Sequence, residues 1–346
     1  MSSQEKIASW RLAPWLGVAL GLLLAELAVR GVYWVPWTID PDFGCVAMAG
    51  ATATYRLEGA GISRWASHGV RRPELPATTD PVVVVLGDSF TESYMLDDPL
   101  VYAAVAEEQL RARQLPLTLL NLGRSGASPA DYVVFAARYA ALFSPRWTVI
   151  QLRDDDFRGD SWVTDKPHFV RSDAEHLTAI DPTEEQEAGV ASALRWLRQR
   201  SALLNYGVIR GQAFAQATGT AKPLFRVEAP AVAPTREPVI QVEDELDAVM
   251  AAHGGRATVL YLAAFDPRAP LVPTAIEQRV TARCRARGWS CVNLRQGFPE
   301  FATTHSAPYG FPNTGFNVGH MNAAGHSLAG DLLADELARV HRDGLF

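Results

Sequence analysis

The stretch Val82 to Ser93, Val-Val-Val-Val-Leu-Gly-Asp-Ser-Phe-Thr-Glu-Ser, constrains the fold of this chain more than any other. Five consecutive apolar residues, four of them β-branched, predict a strand buried on both faces, the pattern of a central strand in a parallel sheet. The strand runs directly into Gly87-Asp88-Ser89. In an open α/β sheet, ligands sit beyond the carboxyl ends of the strands, so Ser89 stands where chemistry takes place. Gly, Asp and Ser are also what a strand-to-helix turn prefers, so the tripeptide alone is equally compatible with a purely structural role.

Further buried strands are expected at 117–122, 147–152, 257–262 and 290–294, and helices at 99–114, 131–142, 184–204, 239–253 and 273–287. A last helix is expected from Asn322 to Gly344, with Leu328, Leu332, Leu333, Leu337 and Val340 on one face. Strict β-α alternation predicts an α/β fold with a parallel sheet and right-handed crossovers. Regularity lapses over 158–238, and 215–238, with its Gly, Thr, Ala and four prolines, reads as a surface excursion. Residues 36–79 have no sustained period and read as a segment that packs on the domain rather than folding alone.

Residues 12–35 are almost entirely apolar. As a helix they extend roughly 36 Å, enough for a bilayer core of about 30 Å. Glu26 interrupts the run but stands one turn before Arg30, with which it can pair, while Trp34 and Trp37 suit an interfacial belt. No Ala-x-Ala-like site follows, so an uncleaved anchor is favoured over a signal peptide. Lys6 and Arg11 before the span, and Asp40 and Asp42 after it, leave 1–11 in the cytoplasm and the body, 80–346, outside. The net charge of −6 gives no basic footprint, so nucleic-acid binding is not expected. Cys284, near a helix end, and Cys291, at the start of the next strand, can meet as a disulfide; three buried thiols are the other reading, and Cys45 is left over.

A serine nucleophile needs a base, a group to hold that base and oxyanion donors, all of which can be sought at strand ends. After the second strand comes Asn121-Leu122-Gly123-Arg124-Ser125-Gly126, and after the third Arg153-Asp154-Asp155-Asp156-Phe157. Before the last helix comes Asn317-Val318-Gly319-His320-Met321-Asn322, with His326 a few residues on.

Gly87-Asp88-Ser89, the 121–126 block, an acid cluster in place of a Gly-x-Asn-Asp block, and a C-terminal His together resemble the SGNH (GDSL-type) hydrolase family. The resemblance covers roughly 80–157 and 240–346. With the N-terminal anchor and a His68-Gly-Val-Arg-Arg-Pro-Glu74 stretch, the chain resembles members found in cell-envelope polysaccharide systems. The resemblance implies a flavodoxin-like α/β/α sandwich on five parallel strands. It implies Ser89 as nucleophile, the Ser89 and Gly126 N–H groups as oxyanion donors and His320 as base. His326, inside the first helical turn, suits a packing or capping role better. No cofactor or metal is implied. The three adjacent aspartates could bind a cation only if alternating side chains converged.

Two positions depart from the family pattern. Asp155 stands where the family has its oxyanion Asn, and a carboxylate there donates only when protonated, which predicts activity favouring acid. Asn317 stands where the family has the Asp that holds the base. It can accept from His320 but cannot stabilise an imidazolium by charge, so Asn317→Asp is expected to raise turnover. Asp266, after the fourth strand, is a second candidate for that place.

The apolar N-terminal run and the resemblance together imply a membrane-anchored serine esterase or O-acyltransferase acting outside the cytoplasm on O-acyl groups of a carbohydrate or small ester, with envelope polysaccharide machinery as implied partners. A catalytically silent member of the same fold, binding glycan or scaffolding an envelope assembly, is the alternative. A nucleotide-binding domain finds no Gly-x-Gly-x-x-Gly or P-loop stretch to support it.

Overall fold

The computed structural model describes residues 3–40, 42–157, 167–171, 177–180, 190–217 and 241–346. Along the chain run α1 (Ser3–Val32), β1 (Tyr33–Trp34), β2 (Trp37–Asp40), β3 (Gly44–Ala47), β4 (Thr52–Tyr55), β5 (Gly61–Arg64), β6 (Val82–Leu86), α2 (Ser89–Glu92), α3 (Tyr102–Ala112), β7 (Thr118–Asn121), α4 (Pro129–Val134), α5 (Ala136–Phe143) and β8 (Trp147–Leu152). After β8 come β9 (His168–Arg171), β10 (Leu177–Ile180), α6 (Val190–Arg200), α7 (Ala202–Ala217), α8 (Val242–Ala252), β11 (Ala257–Tyr261), α9 (Ala275–Arg287), β12 (Ser290–Asn293), α10 (Phe298–Thr303) and α11 (Ala323–Arg342).

The four valines of β6 lie in an inner strand, between β8 and β7, of a five-stranded sheet of order β12-β11-β8-β6-β7, every pairing parallel. Val83, Val84 and Val85 are buried, as two-sided coverage by helices demands. On one face α3 packs against α11, and on the other α8 packs against both α4 and α9. These are the five parallel strands that the alternation predicts and the α/β/α layers that the resemblance implies. The strand order reverses direction between β6 and β8, so the carboxyl end of β6, where Ser89 begins α2, lies at the topological switch point.

The segment before the sheet is more ordered than its composition suggests. β1, β4 and β5 form an antiparallel sheet, and β2 pairs with β3. Strands this short carry too few residues to reveal a period of two. Phe43, buried in the main core, stacks on Tyr139 of α5 at 4.6 Å between ring centres, and Trp65 is fully buried.

Within α1, Pro14–Val32 is long and apolar enough to cross a bilayer by length and composition, with mean hydropathy 1.7 and none of it buried; a signal sequence at the start of a chain shares those properties. Glu26 pairs with Arg30 at 2.6 Å and also accepts from Ala202 N (2.8 Å), Leu203 N (2.9 Å) and Ser201 Oγ (2.9 Å). An acid inside an apolar helix is thereby the N-terminal cap of α7, whose unpaired N–H groups favour a carboxylate.

The single helix expected over 184–204 is two, α6 and α7, broken at Ser201; its first residues, 184–189, and most of the 215–238 excursion lie outside the described residues. Cys284 and Cys291 form a disulfide with Cα atoms 6.3 Å apart, and Cys45 is exposed on β3.

Candidate active site

Asp88 caps α2, its carboxylate accepting from Phe90 N at 2.8 Å, which turns the chain sharply at the end of β6 and leaves Ser89 as the first helical residue. Ser89 Oγ lies 2.9 Å from His320 Nε2. His320 comes from the loop before α11, and its Nδ1 lies 2.6 Å from Glu58 Oε2. The same carboxylate accepts from the backbone N of His320 at 2.5 Å, so two bonds fix the ring to it. A carboxylate on Nδ1 holds the proton there, which leaves Nε2 to accept from the Ser89 hydroxyl. Burial raises the Glu58 carboxyl, but the hydrogen bonds and charge of His320 outweigh it and hold it below its usual range. Glu58 belongs to the β4–β5 connection, inside the segment that reads as aperiodic.

Gly319 makes this contact sterically possible: its φ is +79°, and a Cβ there would collide with Glu58 Oε1.

Asn317 does not meet the imidazole. Its side-chain N donates to the Phe265 carbonyl at 2.7 Å, and its φ of +56° turns the loop toward Gly319. Asp266, the other candidate for that place, accepts from Arg268 N at 2.9 Å in its own turn. The position against Nδ1 is taken by a residue from the other end of the chain.

The three aspartates after β8 diverge. Asp154 accepts from Tyr261 Oη and, at 2.9 Å, from Thr274 Oγ1; Asp155 pairs with Arg153 at 2.5 Å; Asp156 accepts from Arg153 N at 2.7 Å. Among the described residues no group of acids, His and Cys converges as a metal site. Asp155 faces a guanidinium, an ion pair where the sequence leads one to look for an oxyanion donor. Arg153 also lies over the Phe90 ring at 3.9 Å, and that ring is 4.7 Å from the His320 ring.

The 121–126 block is held from α2. Asn121 Nδ2 donates to the Thr91 carbonyl at 2.7 Å, and Glu92 accepts from Ser125 N (2.6 Å) and Ser125 Oγ (2.7 Å). Gly126 follows with φ +78°, a conformation glycine adopts without strain.

His326 is fully buried. Tyr102 N donates to its Nδ1 at 3.1 Å, so Nε2 carries the proton and donates to Ser93 Oγ at 2.9 Å. Burial first, then the charges of Arg71 and His320, push its pKa down to about 3. It is a packing residue behind α2.

Arg71, from the His68–Glu74 stretch, is buried and donates to the carbonyls of Glu92, Ser93 and, at 2.5 Å, Leu96, and to Ser63 Oγ at 2.9 Å. It ties β5 to the chain leaving α2. The sequence marks that stretch without giving it a role; nothing local distinguishes the buried Arg71 from its neighbour Arg72. Glu58 is fainter still, its only cue being a carboxylate between Leu57 and the glycines Gly59 and Gly61.

No protein-family model matches this sequence, and no curated protein matches it. Among solved structures, similarity extends to a two-domain esterase active on acetylated mannans (13% identity, 75% of this chain and 50% of that one, TM-score 0.39), so the chain spans half of that protein's length. A lipase/acylhydrolase from Enterococcus faecalis (12% identity, 74% and 95% covered, TM-score 0.40) and an acetylxylan esterase from Geobacillus stearothermophilus (11%, 76% and 96%, 0.39) are also similar.

Proposed function

We propose that this chain is a serine-dependent ester hydrolase or O-acyltransferase of SGNH type, acting on O-acyl groups of a carbohydrate or small ester. The observation that carries the reading is the continuous line from the Glu58 carboxylate through both nitrogens of His320 to Ser89 Oγ. Nucleophile, base and orienting acid stand at hydrogen-bond distance, in the relation that acyl transfer requires.

In this reading Ser89 Oγ attacks the acyl carbonyl as its proton passes to His320 Nε2. Glu58, hydrogen-bonded to Nδ1, stabilises the imidazolium that forms. The N–H groups of Ser89 and Gly126 donate to the oxyanion. His320 then returns the proton to the departing alcohol, leaving an acyl-enzyme. Water or a second hydroxyl, deprotonated by the same imidazole, attacks that ester and frees Ser89.

The apolar α1 supports an anchored protein, with the body outside the cytoplasm; the Cys284–Cys291 disulfide fits an oxidising compartment. Asp155, paired with Arg153 rather than offering a side-chain donor, favours the second reading, a silent member of the fold that binds glycan.

Hydrolysis of p-nitrophenyl acetate by the full chain, beside Ser89→Ala, tests the proposal. Turnover that disappears in the variant is expected. Equal rates for the two proteins would leave the glycan-binding reading standing in its place.

A further inference from the structure

The β4–β5 connection, residues 56–60, carries Glu58 to His320. Arg56, Leu57 and Ala60 are exposed, so the core does not fix the path of this stretch. Its ends are held by backbone bonds: Arg56 N donates to the Val32 carbonyl at 2.8 Å and Ala60 N to the Met95 carbonyl at 3.2 Å. Between those ends the side-chain amide of Asn313 takes over. Its Oδ1 accepts from Gly59 N at 2.9 Å, and its Nδ2 donates to the carbonyls of Gly59 at 3.0 Å and Arg56 at 3.3 Å. The three bonds flank Glu58 on both sides. The orientation of the amide follows from its partners, since an N–H only donates and a carbonyl only accepts.

Asn313 lies in a tight turn in which Thr314 N and Gly315 N donate to the Phe311 carbonyl at 3.0 and 2.8 Å. An asparagine in a turn ordinarily bonds its own neighbours. This one reaches across 254 positions of chain instead. Its turn belongs to the same closed loop as His320: Gly310 N donates to the His320 carbonyl at 2.9 Å, Asn317 N to the Tyr309 carbonyl at 3.1 Å, and Tyr309 pairs with Met321. Phe311, buried with Met95 and Leu96, fastens that loop beside the chain that receives Ala60. One loop therefore presents the imidazole to the Glu58 carboxylate and an amide to the backbone on either side of it.

We propose that Asn313 is a positioning residue, a clamp that keeps the Glu58 carboxylate on His320 Nδ1. Its part in the reaction rests on the hydrolase or acyltransferase reading above. A glutamate side chain on an exposed connection has many rotamers to lose, and fixing the backbone around it removes much of that freedom before the imidazolium forms. The Asn313 side chain is itself exposed, so its removal disturbs the geometry more than the core.

The test uses the full chain in detergent micelles with p-nitrophenyl acetate, comparing Asn313→Ala, Glu58→Gln, the double variant and Ser89→Ala. Asn313→Ala is expected to lower kcat about 10- to 100-fold, the scale of a small misplacement of a catalytic group, with KM within about twofold. In the Glu58→Gln background the same substitution is expected to cost about twofold or less, because the carboxylate it positions has gone. The proton between His320 Nδ1 and the carboxylate gives a far-downfield 1H NMR resonance, assigned by its loss in Glu58→Gln; it is expected to disappear in Asn313→Ala. Losses that multiply in the double variant, a resonance that survives Asn313→Ala, or parental kcat in that variant overturns the clamp and leaves the esterase reading intact. Parental turnover that Ser89→Ala does not reduce overturns the esterase reading instead. The resonance then decides the clamp alone: present in the parent and lost in Asn313→Ala if the clamp stands, absent from the parent or unchanged by the substitution if it falls.

Discussion

Glu58 Oε2 and His320 Nδ1 lie 2.6 Å apart although 262 positions separate the two residues in the chain. Glu58→Gln keeps the size of the side chain and removes its charge, so the imidazolium formed during proton transfer loses its counter-ion. We expect kcat to fall by about 10²- to 10⁴-fold with KM little changed. Because Asn317 bonds to Phe265 and not to the imidazole, Asn317→Asp is expected to bring no gain, contrary to the family pattern. A gain in that variant, or full activity in Glu58→Gln, would remove Glu58 from its role.

Gly319→Ala acts on the same contact from the other side. The new Cβ would enter the space of Glu58 Oε1 at a position whose φ is +79°. The carboxylate, at the end of a flexible side chain, moves away more readily than the backbone. We expect a loss of about 1 kcal/mol in stability, from the left-handed conformation, and a much larger fall in kcat. Urea unfolding and steady-state kinetics on one preparation separate the two; a loss confined to stability would show that Glu58 keeps its place.

Arg71→Met leaves the carbonyls of Glu92 and Leu96 buried without this donor, and the Ser93 carbonyl with only Leu96 N, at 3.3 Å. At about 1–3 kcal/mol for each buried unsatisfied group, partly relieved by relaxation, we expect a total of about 3–5 kcal/mol in urea unfolding. Arg71→Lys is expected to recover only part of this, since an ammonium cannot reproduce a planar fork of five donors. Equal stability in all three proteins would contradict the role of Arg71 as the tie between β5 and α2.

Burial holds His326 near pKa 3 and His253 near 4, against an ordinary value of 6.5. Below about pH 6.5 the unfolded chain therefore binds more protons than the folded one, and stability falls as pH drops. We expect the urea midpoint to decline from about pH 6.5 toward 4, and the decline to be shallower in His326→Gln, which cannot take up a proton. An identical slope in the variant would mean that His326 is not the buried neutral group described here.

The strands and their serine were legible because fully buried parallel strands are continuous apolar runs, and because a strand end followed by Gly-Asp-Ser needs only local information. β6, β7, β8, β11 and β12 each begin and end within a residue or two of the apolar runs that mark them. The 20 residues of α11 were equally plain from their apolar face. Asp155 shows the opposite case: its position was readable, but the Arg153 guanidinium that meets it depends on how the chain turns after β8.

The amino-acid order by itself determined the five-stranded sheet, the place of Ser89 at a strand end and the loop that carries His320, because each is set by patterns a few residues long. The tertiary structure alone decided which group holds His320, what Glu26 is for, and what Arg71 does. Each of those contacts joins separate elements of the chain, and neither a lone carboxylate in the apolar helix α1 nor a charged side chain in a short irregular segment carries a local pattern that names its partner. Only the packing of the β4–β5 connection against the loop before α11 gives Glu58 its partner.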